Sequence, residues 1–391
     1  MRSHAVASGG PVHEPEVVVL FAGGGTGGHL YPALALAAAL VDLRPEVRPV
    51  FVGAERGVEA RILPQRGAEH ILLPIRGVHR GRGVGANLGV APALVRSLAR
   101  LAGEFQRLRP ELVVVTGGYA AAPAGLMAAL RRVPLALQEQ NALPGVTTKL
   151  LSPFARQVHL AYPEAAPRLP RRGRRRVEFA GNPIRPPEVR DARADRRSFG
   201  LETDRPVVLV TGGSQGSAAL NGAVLEMVRG HAETAPAWQL LWVTGPTHVV
   251  GIREALGTLA DLPWLCTVGY VDEMPVGLSA AHLAVSRAGA MTTSEFLAWG
   301  LPSVLIPLPT SAEGHQARNA EALADAGASV HLPQSELSGD ALGRLLDQLV
   351  GDADRLEVMS RAARARSRPH SAHEIVRRLD QLLPRPAQGQ A

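Results

Sequence analysis

The sequence is poor in cysteine, lysine and aromatic side chains for its 391 residues. Cys266 is the one cysteine, which excludes an intramolecular disulfide and a metal site built from clustered thiolates. No run of about 18 apolar residues is present, so the sequence offers no candidate membrane-spanning helix. The first 15 residues lack the apolar core of a signal peptide, and we therefore expect a protein that stays in the cytosol.

Arginine supplies almost all of the positive charge. Lysine and arginine total 42 against 35 acidic residues, which gives a net charge of +7, and Lys149 is the only lysine. This balance favours anionic partners such as phosphates and acidic lipid head groups. A general compositional bias toward arginine and alanine explains the same balance, so the charge alone assigns no partner.

Three valine-rich runs each lead directly into glycines. They are Val17–Leu20, Val113–Val115 and Val207–Val210, and a stretch of helical character follows each one. Continuous apolar runs are typical of parallel strands that are buried on both faces. The repetition of strand, glycine turn and helix predicts an α/β fold with doubly wound parallel sheets.

The strand pattern restarts near residue 207, after a stretch rich in arginine and proline. We therefore predict two domains, with a boundary between residues 183 and 184. The predicted segments are a disordered extension at 1–15, an N-terminal domain at 16–183, a C-terminal domain at 184–365, and a final segment at 366–391. That last segment contains a helix that can pack back on the N-terminal domain, followed by a disordered tail.

The first glycine loop, Gly23–Gly28, has the G-x-G-x-x-G spacing of dinucleotide-binding proteins, and Glu55 ends the next predicted strand. Glycines let a backbone approach a phosphate, and the N-terminus of the following helix offers unpaired N–H groups. His29 comes directly after the glycines, where its pKa suits a general base. A histidine that only hydrogen-bonds near the start of the helix fits the pattern equally well.

The segment Ser286–Glu295 follows a predicted strand and opens a helix that ends at Gly300. Its N-terminus suits a nucleotide pyrophosphate, and Glu295, one turn into the helix, can accept hydrogen bonds from ribose hydroxyls. Thr292 and Glu295 also have the spacing of a capping box, so Glu295 can instead serve only to close the helix end.

Other polar clusters follow predicted strands in both halves of the chain. They are Gly212–Gly216 with Ser214, Gln138–Asn141, and His315-Gln316 with Asn319. Each cluster alone reads equally well as an ordinary turn or loop. Because ligands of α/β proteins bind at the carboxyl ends of strands, their joint placement predicts a site between the two domains.

Eight stretches of the sequence, in order, form a recognisable set. They are GGGTGGHLYPALALA at 23–37, TGGYAAAPAG at 116–125, QEQNALPG at 138–145, GNPIR at 181–185, GGSQGSAALN at 212–221, GYVDEMP at 269–275, SRAGAMTTSEFLAWGLPSVLIPLP at 286–309 and HQARNA at 315–320. Through them the chain resembles the MurG family of peptidoglycan lipid-intermediate glycosyltransferases, which have the two-domain GT-B fold. The resemblance covers residues 17 to about 330 and implies two Rossmann-like domains facing a deep interdomain cleft.

The resemblance implies that the C-terminal domain holds the donor, UDP-GlcNAc. Val271 is implied to present backbone atoms to uracil, and Glu295 to bind the ribose. The residues implied to contact the donor pyrophosphate are Arg185, Ser214, Ala290, Met291 and Thr292. The residues implied to hold sugar hydroxyls, and so to select GlcNAc, are Asn141 and Gln316.

The resemblance places the acceptor in the N-terminal domain, with His29 as the candidate base. The loop residues implied to hold substrate pyrophosphate there are Gly25, Thr26, Gly27, Gly28, Gly117 and Gly118. The implied reaction transfers GlcNAc with inversion to the C4 hydroxyl of undecaprenyl-pyrophosphoryl-MurNAc-pentapeptide (lipid I), giving the β-1,4 disaccharide lipid II. No metal or other cofactor is implied. A UDP-GlcNAc 2-epimerase is the nearest alternative, and a dinucleotide-dependent oxidoreductase a more remote one.

A lipid-linked acceptor implies a peripheral enzyme on the cytoplasmic face of the cell membrane. The resemblance also implies a part in cell shape and division alongside other cell-wall proteins. We expect contacts with anionic lipid from Ile75, Arg80, Arg82 and Arg96, in a loop and an apolar helix rich in arginine. An ordinary surface helix fits the same pattern. The run Arg171–Arg176 has no interleaved aromatics and predicts a solvated connector rather than a nucleic-acid site.

Overall fold

The structure, a computed structural model, describes residues 16–77 and 89–385. These residues form two compact units, one made of 16–138, 150–158 and 372–385, the other of 139–149 and 159–371. No helix within the described ranges is long and apolar enough to cross a membrane.

The units do not divide the chain at a single point between residues 183 and 184. Residues 159–183 group with the second unit, and Asn182 gives the physical reason. The Asn182 side-chain amide donates to the Gln140 and Ala290 carbonyls at 3.1 and 3.2 Å and to the Ser294 hydroxyl at 2.9 Å. The segment before the predicted boundary is therefore bonded into the second unit.

One sheet has seven strands in the order β3-β2-β1-β4-β5-β6-β7. The neighbours from β3 to β5 pair in parallel, as the valine runs predict. The strands are β1 (Val17–Gly23), β2 (Val47–Ala54), β3 (His70–Leu73), β4 (Leu112–Gly117), β5 (Leu135–Glu139), β6 (Gln157–Leu160) and β7 (Val177–Phe179). The register pairs Gly23 with Gly117, so the glycine turns that follow β1 and β4 start side by side.

A second sheet has six strands in the order β10-β9-β8-β11-β12-β13, and every neighbouring pair is parallel. The strands are β8 (Val207–Thr211), β9 (Gln239–Val243), β10 (Leu265–Val268), β11 (Leu283–Ser286), β12 (Ser303–Leu305) and β13 (Ser329–His331). The predicted α/β fold with two doubly wound parallel sheets is confirmed.

Helices follow the strands in the order expected for βαβ units, and the last three come after β13. They are α1 (Gly27–Leu43), α2 (Glu59–Gln65), α3 (Val90–Leu108), α4 (Ala122–Arg131), α5 (Val146–Leu151), α6 (Arg171–Arg174), α7 (Ala192–Ser198), α8 (Ala218–Gly230), α9 (Val249–Leu256), α10 (Met274–Ala280), α11 (Ala290–Trp299), α12 (His315–Asp325), α13 (Gly339–Val350), α14 (Ala353–Arg366) and α15 (Ser371–Asp380). Gly300 ends α11 in the left-handed conformation, at the position that the sequence predicted.

The core of the second unit covers both faces of its sheet. Along β8, Val207 and Leu209 belong to one buried cluster, whereas Val208 and Val210 belong to another. Successive side chains of a strand point to opposite faces, so both faces of β8 are covered by packed side chains. This explains why the run is continuously apolar rather than alternating.

The last helix, α15, belongs to the first unit. Arg44, at the end of α1, pairs with Asp380 and donates to the Pro384 carbonyl at 3.1 Å. The Gln157 amide donates to the Arg378 carbonyl at 2.8 Å. These bonds join the end of the described chain to the first unit.

Candidate donor site and acceptor loop

A cavity of about 430 Å³ opens at the carboxyl ends of the central strands of the second sheet. Its wall includes the glycine loop after β8, the turn after β11, and side chains from α11 and α12. Of the residues that the sequence predicted for the donor, Thr292 and Gln316 line this cavity. Gly212, Gly213 and Gly216 bring backbone to its surface.

The glycine loop after β8 requires glycine for two separate reasons. Gly213 and Gly216 have φ values of +86° and +75°, in the left-handed region that favours glycine. A Cβ on Gly216 would also stand 2.0 Å from the Thr244 carbonyl oxygen. The loop therefore lies against the turn after β9, with its backbone facing the cavity and Ser214 exposed.

Arg287 supplies a buried positive charge to the cavity wall. Its side chain donates to the Ser217 hydroxyl at 2.8 and 3.0 Å and to the Ile306 and Pro307 carbonyls at 3.1 and 3.2 Å. Burial lowers the pKa of the Arg287 guanidinium. No carboxylate pairs with Arg287 within residues 16–77 and 89–385. A buried cation held only by neutral oxygens raises the positive potential where an anion can bind.

The N-terminus of α11 faces the same region without a side-chain cap. Its N-cap residue is Gly289, which cannot accept from the first N–H groups of the helix. The N–H groups of Ala290, Met291 and Thr292 therefore have no partner inside the helix. Because the helix begins at Ala290, Thr292 lies within its first turn and is not the N-cap of a capping box. That alternative for Glu295 is wrong.

Glu295 is largely buried inside α11, and this burial raises the pKa of its carboxyl group to about 7. No hydrogen bond or ion pair to the Glu295 side chain occurs in the described ranges. Val271, the other residue predicted for the nucleoside, is 8% exposed. Its side chain packs in the core, so only its backbone is available for the predicted uracil contact.

Asn141 and Gln316 are both held by hydrogen bonds. The Gln316 carbonyl oxygen accepts from the Leu308 N–H at 2.9 Å, which leaves the amide NH₂ for other partners. The Asn141 oxygen accepts from Asn319 at 3.2 Å, and its NH₂ donates to Glu139 at 3.3 Å. Asn319 also accepts from the Ala142 N–H at 2.9 Å. The two predicted sugar ligands are thus fixed within the second unit.

Arg185 differs from the other predicted donor residues because it is exposed and already paired. Its guanidinium pairs with Glu188 and donates to Glu273 at 3.1 Å, and it does not line the cavity. The hydrogen bond that Arg185 donates to Glu188 is the main reason that the pKa of Arg185 is raised. The positive charge in the cavity wall comes instead from Arg287, to which the sequence analysis gave no role.

The first unit carries the second candidate site, at the turn between β1 and α1. Thr26 is the N-cap residue of α1, but its hydroxyl lies 3.1 Å from His29 Nδ1 and does not cap the helix. On the other side, the Thr116 hydroxyl donates to the His29 carbonyl at 2.7 Å. Thr26, Gly27 and Gly28 form an uncapped helix N-terminus beside His29, which suits an anionic group.

Gly25 does not fit its predicted role as a pyrophosphate donor. Its N–H is bound by both carboxylate oxygens of Glu59, at 3.0 and 2.9 Å, and so is not directed at a ligand. Gly117 and Gly118 keep the predicted turn, with φ values of +100° and +80°. A Cβ on Gly118 would stand 2.2 Å from the Gly24 carbonyl oxygen, so this turn and the glycine loop are in close contact.

No group of three or more metal-ligating side chains occurs in the described part of the chain. An Asp-x-Asp sequence, Asp352-Ala353-Asp354, is present far along the chain. There Asp352 is the N-cap of α14 and accepts from the Arg355 N–H at 2.9 Å. This sequence does not line the donor cavity.

Comparison with known proteins identifies the family. Residues 19–160 match the glycosyltransferase family 28 N-terminal domain, and residues 207–375 match the family 28 C-terminal domain. A protein of Moorella thermoacetica is 40% identical over 366 residues, which cover 92% of this chain and 97% of that protein. Its name is UDP-N-acetylglucosamine–N-acetylmuramyl-(pentapeptide) pyrophosphoryl-undecaprenol N-acetylglucosamine transferase. The crystal structure of Acinetobacter baumannii MurG matches with a TM-score of 0.73 and 26% identity, over 94% of this chain and 100% of that one. This chain belongs to the MurG family of glycosyltransferases.

Family membership decides between the alternatives that the sequence left open. A dinucleotide-dependent oxidoreductase is excluded, and Glu55, its candidate ribose ligand, is half-exposed with Arg100 at 3.7 Å. A crystal structure of a UDP-N-acetylglucosamine 2-epimerase matches with a TM-score of 0.60 but 14% identity, over 94% of this chain and 95% of that one. That likeness shows the fold alone.

The residues predicted to contact the membrane have different outcomes in the structure of this MurG-family chain. Arg96 is exposed on α3. Ile75 is 6% exposed and packs inside the protein, so its predicted contact with lipid is wrong for this conformation. Arg80 and Arg82 lie outside the described residues.

Proposed function

We propose that this chain transfers GlcNAc from UDP-GlcNAc to the muramyl C4 hydroxyl of lipid I, giving lipid II. The observation that carries the proposal is the donor cavity of the second unit, in a family whose relatives are named for this transfer. Its wall combines a glycine loop, the uncapped start of α11 and the buried Arg287 cation, a combination that suits the diphosphate of a nucleotide sugar.

The donor is held from its nucleoside to its sugar. Glu295 accepts hydrogen bonds from the ribose hydroxyls, and the backbone of Val271 contacts uracil. The N–H groups of Ala290, Met291 and Thr292 bind the diphosphate together with Ser214. Asn141 and Gln316 hold the sugar hydroxyls through side chains that the surrounding bonds already orient.

His29 is the general base for the acceptor. It removes the proton of the C4 hydroxyl as that oxygen attacks the anomeric carbon from the face opposite UDP. The C–O bond to UDP breaks as the new C–O bond forms, so the α-linked donor gives a β-1,4 product. The Thr26 hydroxyl lies 3.1 Å from His29 Nδ1 and helps to orient the imidazole ring. The N–H groups of Gly27 and Gly28, with the turn at Gly117 and Gly118, hold the acceptor pyrophosphate.

The departing UDP carries the negative charge that develops in the transition state. Arg287 and the start of α11 place positive potential at that position, which is the role that a metal ion serves in other transferases. We therefore propose that no cofactor is required. Arg185 contributes only if the diphosphate displaces Glu188 and Glu273.

The acceptor carries a polyprenyl chain, so the enzyme works at a membrane surface. We place it at the cytoplasmic face, bound peripherally through Arg80, Arg82 and Arg96 to anionic lipid head groups. Such a location brings it beside other enzymes of cell-wall synthesis and division.

The test is transfer of labelled GlcNAc from UDP-GlcNAc to a short-chain analogue of lipid I, with UDP-glucose and an acceptor-free reaction in parallel. We expect transfer that depends on the acceptor and favours GlcNAc. Inversion at C2 of the donor sugar, giving the manno epimer without any acceptor, would instead assign an epimerase. Binding of UDP-GlcNAc with no transfer to this analogue would contradict the proposed acceptor.

A further inference from the structure

Glu59 is a fully buried carboxylate that the proposed mechanism does not use. It is the first residue of α2, and its side chain is 0% exposed. Three glycines make room for it, because a Cβ on Gly24, Gly53 or Gly57 would stand 2.2 or 2.3 Å from Glu59 atoms. The Glu59 side chain therefore occupies space that only glycine at these three positions leaves open.

Within the described residues, the Glu59 carboxylate is held by backbone N–H groups. Oε1 accepts from Ala54 at 2.7 Å, and both oxygens accept from Gly25 at 3.0 and 2.9 Å. No basic side chain pairs with Glu59 within residues 16–77 and 89–385. Burying an unpaired charge is costly, so an apolar side chain of similar size would hold α2 to β2 with less penalty. A function tied to the bond with Gly25 explains why a carboxylate stands there.

The Gly25 N–H connects Glu59 to the candidate base. Gly25 has a φ of +87°, and the next residue, Thr26, is the N-cap of α1 and has its hydroxyl 3.1 Å from His29 Nδ1. The Tyr119 ring covers the other side of Gly25, where a Cβ would stand 2.8 Å from it. The position of the His29 ring therefore depends on a turn that Glu59 fixes from behind.

We propose that Glu59 is a positioning residue of the acceptor site, whose carboxylate fixes the Gly25 turn and thereby the hydroxyl of Thr26 and the ring of His29. The expected effect on kcat rests on the proposed function, whereas the expected effect on the Gly25 turn does not. It also explains why Gly25 does not offer its N–H to a ligand, although it lies within the glycine loop.

The test compares Glu59→Gln with the wild-type protein. Glutamine keeps the shape, but its NH₂ group must face one of the backbone N–H groups that the carboxylate accepts from, so the turn loosens. A displacement of about 1 Å costs on the order of 100-fold in rate. We expect kcat for GlcNAc transfer to fall between about 10- and 100-fold, with KM for UDP-GlcNAc within about twofold of wild type.

Hydrogen exchange gives a readout that does not require activity. In Glu59→Gln we expect faster exchange in peptides that cover residues 23–30 and unchanged exchange in α11 of the second unit. Glu55→Gln is the matched control, because Glu55 lies four residues away, is half-exposed and lies 3.7 Å from Arg100. If Glu59→Gln does not fold, Glu59→Asp keeps the charge but is one methylene too short, and the same exchange pattern is expected.

The outcomes separate this inference from the proposed function. Unchanged kcat and unchanged exchange at residues 23–30 in a folded variant overturn it. So does a parallel loss of UDP-GlcNAc affinity, because that would mean a general structural effect. If the wild-type protein transfers no GlcNAc at all, the proposed function fails, whereas the exchange pattern still decides whether Glu59 fixes the turn.

Discussion

At the scale of single residues, the proposed mechanism depends most on His29, the general base. We expect His29→Ala to lower turnover by at least about 100-fold, the usual scale for loss of a general base. The affinity for UDP-GlcNAc should stay at the wild-type value, because the predicted donor residues lie in the second unit. Steady-state transfer and calorimetric binding of UDP-GlcNAc measure the two effects. Near-normal turnover with intact donor affinity would remove His29 from this role.

Glu295 makes donor binding depend on pH. Burial raises the pKa of its carboxyl to about 7, whereas two hydrogen bonds donated by the ribose hydroxyls favour the ionised form. Binding below pH 7 therefore releases a proton, and affinity rises with pH until it levels off above about 7. At pH 6 we expect UDP-GlcNAc to bind about tenfold more weakly than at pH 8. In the unliganded protein the sign is opposite for stability, since a raised carboxyl pKa favours the folded state at low pH and this contribution is lost as pH rises toward 7.

Glu295→Gln is the control for this pH dependence. Glutamine has no titratable proton, so the affinity of this variant should not change between pH 6 and pH 8. Titration calorimetry at several pH values, with buffers of different ionisation enthalpy, also counts the proton released. An equal pH slope in wild type and Glu295→Gln would show that another group is responsible.

The residues that the sequence analysis missed are buried charges. Glu295 and His29 were found because each lies near the start of a helix that follows a predicted strand. Arg287 also follows a strand, but its partners, the Ser217 hydroxyl and the Ile306 and Pro307 carbonyls, are distant in sequence. Glu59 belongs to none of the motifs that the sequence analysis identified. Burial of a charge depends on what packs around it, which no local pattern records.

At the scale of elements, the turn after β8 couples stability to donor binding. Gly216→Ala places a Cβ in the left-handed region, 2.0 Å from the Thr244 carbonyl oxygen. We expect it to lower the free energy of unfolding by about 1–3 kcal/mol, and to weaken UDP-GlcNAc binding because the loop must shift away from the turn after β9. Chemical denaturation and calorimetry measure the two effects.

Gly222→Ala is the matched control for this turn. Gly222 lies inside α8, is exposed, and has open space where a Cβ would go. Alanine there should raise the free energy of unfolding by about 0.5–1 kcal/mol, because glycine is unfavourable inside a helix. Its donor affinity should equal that of wild type. A loss of stability in both variants would mean that the strained turn is not the cause in Gly216→Ala.

The strands were predictable because continuous valine runs have few alternatives in a protein of this composition. Val17–Gly23, Leu112–Gly117 and Val207–Thr211 all coincide with predicted runs. The end of β5 was less accurate, because Gln138 and Glu139 belong to the strand and are buried. Polar side chains at such a strand end mimic a loop in sequence. Their hydrogen bonds, such as Thr148 to Glu139 at 2.6 Å, form only in the folded chain.

At the scale of the whole molecule, the division into units was only partly predictable. The restart of the strand pattern near residue 207 predicts two sheets. It does not predict that residues 139–149 belong to the second unit. The bonds of Asn319 to Asn141 and Ala142 join residues about 180 positions apart, and nothing in the local sequence marks them. The predicted sugar ligand Asn141 thereby shares a unit with Gln316, although it precedes the predicted boundary.

Membrane binding can depend on the net charge of the whole molecule or on a few arginines at one place, and charge-reversal variants distinguish the two. We expect Arg80→Glu, Arg82→Glu and Arg96→Glu together to weaken binding to vesicles that contain anionic lipid by more than about 100-fold, since each arginine near such a surface contributes about 1 kcal/mol. The control reverses Arg171, Arg172 and Arg175, which are exposed in the second unit and change the net charge equally. Vesicle sedimentation at two salt concentrations measures both. A control that binds as weakly as the first variant would show that net charge alone attracts the protein, whereas unchanged binding of the first variant would exclude this surface as the membrane contact.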